Sequence, residues 1–371
     1  MTAFNFGADV RRAFPRLAGT LLTLTASFLV TQPAHADLDG SAIPAANFDL
    51  SHWKLTIPVN AVGSTAGVAA EISGGALIGP PGYSSQWFHS RSDGGMVFWA
   101  PVNGATTSGS SYPRSELREL IDPNNGGVNW TSAGNSVLDV SCKVNVVPSS
   151  TGKVVVGQIH GYNLPPLVKL RYQYSTSSKT GRIDALINVN ASSTITASYP
   201  LATGIALNQG FYYRIAVSKG VLSMSVNGAT ATALKIDPSW QNAGFYFKAG
   251  TYVQANGTSA TDGGMVTLYR LAATHPDNAL ALTTGGVTAA VAGQAYRQPL
   301  TAAGGIGTLV WKLISGQLPT GLALNPTDGT ISGTPAASTV NGNTHAFTVQ
   351  AADPLNDSAA RTYKMVIAAA P

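Results

Sequence analysis

Three short stretches of this sequence set chemically able side chains two residues apart. They are Arg114, Glu116 and Arg118 in Tyr-Pro-Arg-Ser-Glu-Leu-Arg-Glu; Gln158 and His160 in Val-Val-Val-Gly-Gln-Ile-His; and Tyr246, Lys248, Tyr252 and Gln254 in Phe-Tyr-Phe-Lys-Ala-Gly-Thr-Tyr-Val-Gln. On a strand this spacing places side chains on one face. The opposite parity carries Leu117, Ile159, Phe245, Phe247 and Val253, so each stretch would bury an apolar face and present a cationic, hydrogen-bonding one. A solvated sheet face shows the same alternation, but here Arg, Gln, His, Lys and Tyr gather in a chain with only 11% charged residues. The set holds a guanidinium and an amide that can neutralise a carboxylate. It adds an imidazole whose usual pKa near ~6.5 suits a base, and a phenol able to give up a proton. Lys248 suits binding of carboxylates or electrostatic lowering of a tyrosine pKa. Glu116, between two arginines, reads as an orienting ion-pair partner rather than an acid, and Tyr246 as a packed aromatic outside the catalytic set.

The elements that must position these groups are strands. The chain has 371 residues, 44% of them hydrophobic, with 40 Gly and 21 Pro. That apolar content excludes disorder, and the low charge with abundant Gly, Thr, Ser and Val excludes a coiled coil and favours short strands and turns. From Phe48 to about Leu271 strand follows strand, as in Gly95–Ala100, Ser136–Val147 and Tyr212–Val217, and Val226-Asn-Gly-Ala229 is a hairpin turn. The expected fold is all-β: a jelly-roll β-sandwich with one concave sheet open as a groove. Around Thr274-His-Pro-Asp-Asn278 the aromatic and charged residues thin out, leaving an Ala-, Gly- and Thr-rich tail with three acidic residues, Asp328, Asp353 and Asp357. This marks a boundary between a domain over 37–275 and a smaller β-sandwich over 279–371. The tail text Gln317-Leu-Pro-Thr-Gly-Leu-Ala-Leu-Asn-Pro-Thr-Asp-Gly-Thr-Ile-Ser-Gly-Thr-Pro335 resembles the immunoglobulin-like modules appended to exported bacterial proteins. A spacer or stabilising module is its simpler reading, and a glycan- or surface-binding one the alternative.

Residues 1–36 read as an export signal: Arg11, Arg12 and Arg16, an apolar run from Leu17 to Val30, then Ala34-His35-Ala36 as a cleavage site. The run is shorter than the ~20 apolar residues a spanning helix needs. Arg11-Arg12 also fits a twin-arginine route. A secreted protein, extracellular or periplasmic, is therefore expected, with no membrane association after cleavage. The formal charge of +5 falls to 19 − 16 = +3 without that segment, too thin and unclustered for a phosphate-binding face, so no nucleic-acid partner is expected. A modest positive field can still help to hold a polyanion where the cations converge in a cleft. Cys142 is the single cysteine, which forbids an intramolecular disulfide, and it reads as a small buried hydrophobe. His52, His89, His275 and His345 lack metal-ligand spacing, so no metal and no cofactor are expected. A monomer is expected.

Arg114-Ser-Glu-Leu-Arg118-Glu119, Gln158-Ile-His160 and Tyr246-Phe-Lys-Ala-Gly-Thr-Tyr252-Val-Gln254 resemble, in order and spacing, the three signature motifs of the alginate lyases of polysaccharide lyase family 7. Asn47-Phe-Asp-Leu-Ser-His-Trp-Lys-Leu-Thr-Ile-Pro58 is similar to that family's opening region, and the likeness covers roughly residues 45–272. The resemblance implies a β-jelly-roll whose groove binds an anionic uronate polymer, alginate, and cleaves it by metal-free β-elimination to products with unsaturated non-reducing ends. By resemblance Arg114 and Gln158, with His160, neutralise the substrate carboxylate. His160 then serves as base and Tyr252 as the acid on the departing oxygen, or as both where proton and leaving group share a side. Glu116, Arg118, Lys248 and Gln254 belong to substrate binding. Endo action is expected, and the Ile of Gln158-Ile-His160 tilts the likeness toward guluronate-containing polymer.

Rival classes are a glycoside hydrolase and a non-catalytic glycan-binding sandwich, with a lyase of another uronate polymer beside them. Hydrolysis usually needs two facing carboxyl groups. The chain has three Glu, of which Glu116 and Glu119 have opposite strand parity, and it lacks Glu-x-Asp-x-x-Glu and Gly-x-Ser-x-Gly. A binding module has no use for a base and an acid placed around one carbon, so the complete Arg, Gln, His and Tyr set favours an enzyme.

Overall fold

A computed structural model describes residues 38–370, apart from 193–195, 230, 277–279, 341 and 343. The expected export signal lies outside the described residues. Two antiparallel sheets stack face to face. The first has eight strands in the order Thr196–Ile205, Thr180–Asn188, Pro166–Ser175, Lys153–Gly161, Phe245–Val253, Arg114–Glu119, Trp53–Thr56 and Glu71–Ile72. The second has seven, with Asn135–Val146 and Gly263–Thr274 at its centre. Strands distant in sequence are thus neighbours, as a jelly roll requires.

The core between the sheets is built from the apolar parity read in the sequence: Leu117, Ile159, Phe245 and Phe247 are fully buried, as are Leu138, Val140 and Ile215 from the facing sheet. Tyr213 reaches across and donates from its phenol to the Val156 carbonyl at 2.8 Å, satisfying a polar group that burial would otherwise penalise. Cys142 sits in the same layer, and burial pushes its thiol far above the usual range, which leaves it an inert hydrophobe. The Asn227-Gly228 hairpin forms as expected, with φ of 52° and 73° and a return hydrogen bond from Ala229 N to Val226 O of 3.1 Å.

Glu119 points into this core, opposite to Glu116. Its carboxylate accepts from Trp130 Nε1 at 2.9 Å, from the Phe247 amide at 3.0 Å and from His275 Nε2 at 3.0 Å. His275 Nδ1 in turn meets Ser136 Oγ at 2.8 Å. His275, which showed no role in the sequence, therefore belongs to a closed buried network that pins the end of the sandwich to the Arg114–Glu119 strand.

The C-terminal part is a smaller β-sandwich. Ala290–Val291, Ser358–Ala368, Thr344–Ala352 and Val310–Gly316 form one sheet, and Tyr296–Pro299, Thr330–Gly333 and Leu322–Leu324 another. Trp311, Ile331, Phe347, Val349, Tyr363 and Met365 fill its separate core. Among the described residues no helix is long and apolar enough to cross a membrane.

Candidate active site

The three motif strands lie side by side in the first sheet, with Phe245–Val253 paired to Lys153–Gly161 on one edge and to Arg114–Glu119 on the other. Register then decides which side chains meet. Lys248 stands opposite both Arg118 and Gln158, Tyr246 opposite His160, and Tyr252 opposite Arg114. Between them Gly250 faces Glu116 with φ +139°, a conformation that L side chains rarely adopt. A Cβ there would lie 2.7 Å from the Ser115 carbonyl oxygen and 2.9 Å from the Glu116 Cα, so glycine allows the two strands to close on each other.

Above this floor runs a groove of about 810 Å³, lined by Arg114, Arg118, Gln158, His160, Lys248 and Tyr252 among others. Loops 107–112 and 162–165 supply much of its walls. The polar face was expected to be open to solvent, but its centre is nearly as dry as the core: Glu116 is 0% exposed, Gln158 1%, Arg114 6%, Lys248 7% and Arg118 8%, while His160, Tyr246 and Tyr252 around them are half-buried. Mutual pairing makes this burial tolerable.

Glu116 is the hub of that pairing. Its carboxylate accepts from Arg114 Nη1 at 3.0 Å, from Lys248 Nζ at 2.5 Å and from the Gln158 side-chain amide. Burial works to raise its pKa, yet the Lys248 ammonium and the Arg114 guanidinium outweigh it and hold the carboxyl below the usual range. Two cations thus share one anion, leaving the cluster one positive charge in excess, with Arg118 close by. A substrate carboxylate would restore the balance. Arg114 engages two of its five donor hydrogens and Gln158 one of its two, so both retain donors for a ligand.

His160 and Tyr252 stand at opposite ends of the cluster. His160 Nδ1 lies 2.9 Å from the Gly161 carbonyl. Because that oxygen can only accept, Nδ1 carries the hydrogen and Nε2 keeps a free lone pair. Burial, reinforced by the Lys248 ammonium, pushes the His160 pKa down to about 4, so the ring is neutral near pH 7. Tyr246 stacks on the His160 ring at 5.3 Å and carries the Arg118 guanidinium 4.0 Å above its own centroid. Tyr246 is half-buried and also lines the groove, so it is an aromatic packed between His160 and Arg118 with one side on the groove. The Tyr252 ring lies 3.9 Å from the Arg114 guanidinium carbon, and its hydroxyl lies 3.2 Å from Ser110 Oγ. Burial, with Arg114 repulsion, pushes Lys248 down to about 8.

The structure brings together Arg114, Glu116, Arg118, Gln158, His160, Lys248 and Tyr252. It does not bring Gln254, whose side-chain amide turns back to the Val253 carbonyl at 3.1 Å, beyond the end of its strand and outside the groove lining. Among the groove residues that the sequence did not single out, Lys54, Lys169 and Ser110 stand next to the motif side chains. Lys54 pairs in register with Arg118, and Lys169 with Gln158, so one row across five adjacent strands runs Lys54, Arg118, Lys248, Gln158, Lys169. Alternation in Leu167-Val-Lys-Leu-Arg-Tyr could have placed Lys169 on a polar face, but only the register puts it beside Gln158. The third, Ser110, lies in a Ser- and Thr-rich loop with no periodic signal.

The profile of the family described as Alginate lyase matches residues 48–275, and that of the Putative Ig domain matches 279–368. An alginate lyase of Klebsiella pneumoniae is 31% identical over 290 residues, 63% of this chain and 92% of that protein. The crystal structure of alginate lyase PA1167 from Pseudomonas aeruginosa is 39% identical, covering 62% of this chain and 100% of that one, with a TM-score of 0.55. That of alginate lyase A1-II', a member of polysaccharide lyase family 7, is 41% identical, covering 63% and 99%, with a TM-score of 0.56. The jelly roll, the motif strands and these matches agree: the chain belongs to the alginate lyases of polysaccharide lyase family 7 and carries a C-terminal immunoglobulin-like domain.

Proposed function

We propose that this alginate lyase is exported and endo-acting, cleaving the polymer by β-elimination to give oligosaccharides with unsaturated non-reducing ends. We assign Arg114, Gln158, His160 and Tyr252 to the chemistry, and Glu116, Arg118 and Lys248 to holding the substrate and ordering the site. The observation that carries the reading is the convergence of those four chemical groups on one groove floor, around a buried cluster with an unmatched positive charge.

The C5 proton of a 4-linked uronate is weakly acidic until its carboxylate is neutralised and charge can spread into an enolate. Remaining donors of Arg114 and Gln158 supply that neutralisation. His160 takes the C5 proton through the Nε2 lone pair, which its low pKa keeps free. The C5–H electron pair becomes the C4=C5 double bond, the C4–O4 bond breaks, and Tyr252 protonates O4. Where proton and leaving group lie on one face, Tyr252 can serve both steps. Substituted variants of the related A1-II' have been captured with a GGG product and with a GGMG substrate, which supports an alginate oligosaccharide as the ligand of this groove.

Incubation with alginate should raise the ultraviolet absorbance of conjugated unsaturated ends, with mid-length oligosaccharides appearing before monomers. New reducing ends without that absorbance would favour a hydrolase. Tyr252→Phe should lose most turnover yet still bind polymer, and an unimpaired variant would remove Tyr252 from its role.

A further inference from the structure

Among the described residues, Ser110 is the one whose side-chain hydroxyl touches two members of the proposed catalytic set. Its Oγ accepts from Arg114 Nη2 at 2.6 Å and lies 3.2 Å from the Tyr252 hydroxyl. It can also donate to the Tyr112 carbonyl at 3.3 Å. Since a guanidinium can only donate, one of the two Ser110 lone pairs is taken by Arg114; the other faces the Tyr112 amide at 3.5 Å, and the hydroxyl hydrogen is free to choose between the Tyr112 carbonyl and the Tyr252 oxygen. A hydroxyl that accepts from a cation is polarised into a better donor. The loop is held in place: Ser110 N bonds Thr107 O at 3.0 Å, Pro113 O accepts from Val253 N at 3.1 Å, and the Tyr112 ring packs 6.2 Å from that of Tyr252.

We propose that Ser110 is a positioning residue that stabilises the phenolate form of Tyr252, relaying the positive charge of Arg114 to the phenolic oxygen. This rests on the role of Tyr252 proposed above. As Tyr252 passes its proton to O4, negative charge appears on its oxygen. The Ser110 hydrogen then turns from the Tyr112 carbonyl to that oxygen, while Arg114 continues to donate to Ser110 Oγ. No bond of Ser110 is broken. When His160 holds the C5 proton, phenolate and imidazolium are reset by exchange with solvent. When Tyr252 is itself the base, it begins as phenolate, and the same hydrogen bond stabilises that starting form.

Both cases give one sign. Removing the Ser110 donor makes the phenolate harder to form, so the Tyr252-dependent limb of the kcat–pH profile moves to higher pH. A hydrogen bond to a charged group corresponds to a loss of roughly 10- to 100-fold in kcat, with KM changed less than about threefold because substrate contacts remain. Steady-state kinetics on alginate across pH for Ser110→Ala, Ser110→Thr, Tyr252→Phe and the Ser110→Ala/Tyr252→Phe double variant test this, with thermal melting to verify folding and Ser110→Gly as a second deletion. The expected result is a lower kcat and a displaced limb for Ser110→Ala, recovery in Ser110→Thr, and no further loss when Ser110→Ala is added to Tyr252→Phe. The proposal is overturned if Ser110→Ala keeps kcat within about twofold, if its limb does not move, or if it costs the same factor without the Tyr252 hydroxyl. Full turnover of Tyr252→Phe alone would instead refute the underlying assignment of Tyr252, whatever Ser110→Ala does.

Discussion

Replacing Glu116 with Gln tests the idea that one buried anion organises the site. The amide preserves shape and leaves no cavity, so the effect is electrostatic. In the parent, the carboxylate accepts from Arg114 at 3.0 Å and Lys248 at 2.5 Å and is 0% exposed. After the change two cations remain in a dry patch with no anion between them, and the cluster charge rises from one to two. Breaking a buried pair in this way costs about 3–5 kcal/mol. For a domain of this size that corresponds to a melting temperature lower by roughly 6–20 °C. Activity should fall with it, because Arg114 loses the contact that fixes it. Differential scanning calorimetry and kcat/KM would be measured for Glu116→Gln, Lys248→Met and the double variant. The double variant should regain most of the lost stability, since it removes one of the two stranded cations. The pH dependence follows from the lowered pKa. Stability due to the Glu116 carboxylate is fully present above its unfolded value near 4.5 and is lost as pH falls through the lower folded value. The parent should therefore lose stability in acid more steeply than Glu116→Gln. A variant melting within about 2 °C of the parent, with parental turnover, would refute the reasoning.

Two further outcomes follow from the same geometry. Gly250→Ala should destabilise by about 2–5 kcal/mol and depress kcat, because its Cβ would press on the backbone of the Arg114–Glu119 strand; parental melting and kinetics would contradict that close approach. With Lys248 pushed down to about 8, its ammonium is charged below that pH and lost above it. KM for alginate should therefore climb as pH passes 8, and a Lys248→Met variant should show a higher KM without that climb.

Much of this architecture was legible in the residues themselves. Period-two alternation identified the motif strands because a pleated strand fixes which side each residue faces, and it separated Glu116 from Glu119 correctly. Glu119 points to the core, where Trp130, Phe247 and His275 satisfy it. Gln254 departed from the same reading because it lies just past Val253, the last residue of its strand, and although its amide still bonds the Lys153 carbonyl at 3.1 Å, its side-chain amide turns back to the Val253 carbonyl, a local contact that parity does not encode. Nor could alternation reveal that the centre of the polar face is dry, since burial depends on segments that come from other parts of the chain.

Local spacing by itself determined which side chains share a face, that the chain is all-β, and that guanidinium, amide, imidazole and phenol are available together. Tertiary structure alone decided which strands become neighbours and in what register. That choice set Lys248 against both Gln158 and Arg118, gathered Arg114 and Lys248 around one carboxylate, and brought Ser110 from an aperiodic loop onto Tyr252. The physical reason is range: side-chain parity is dictated by neighbouring peptide units, whereas pairing, burial and the resulting pKa shifts arise from contacts between segments that only the packed fold makes adjacent.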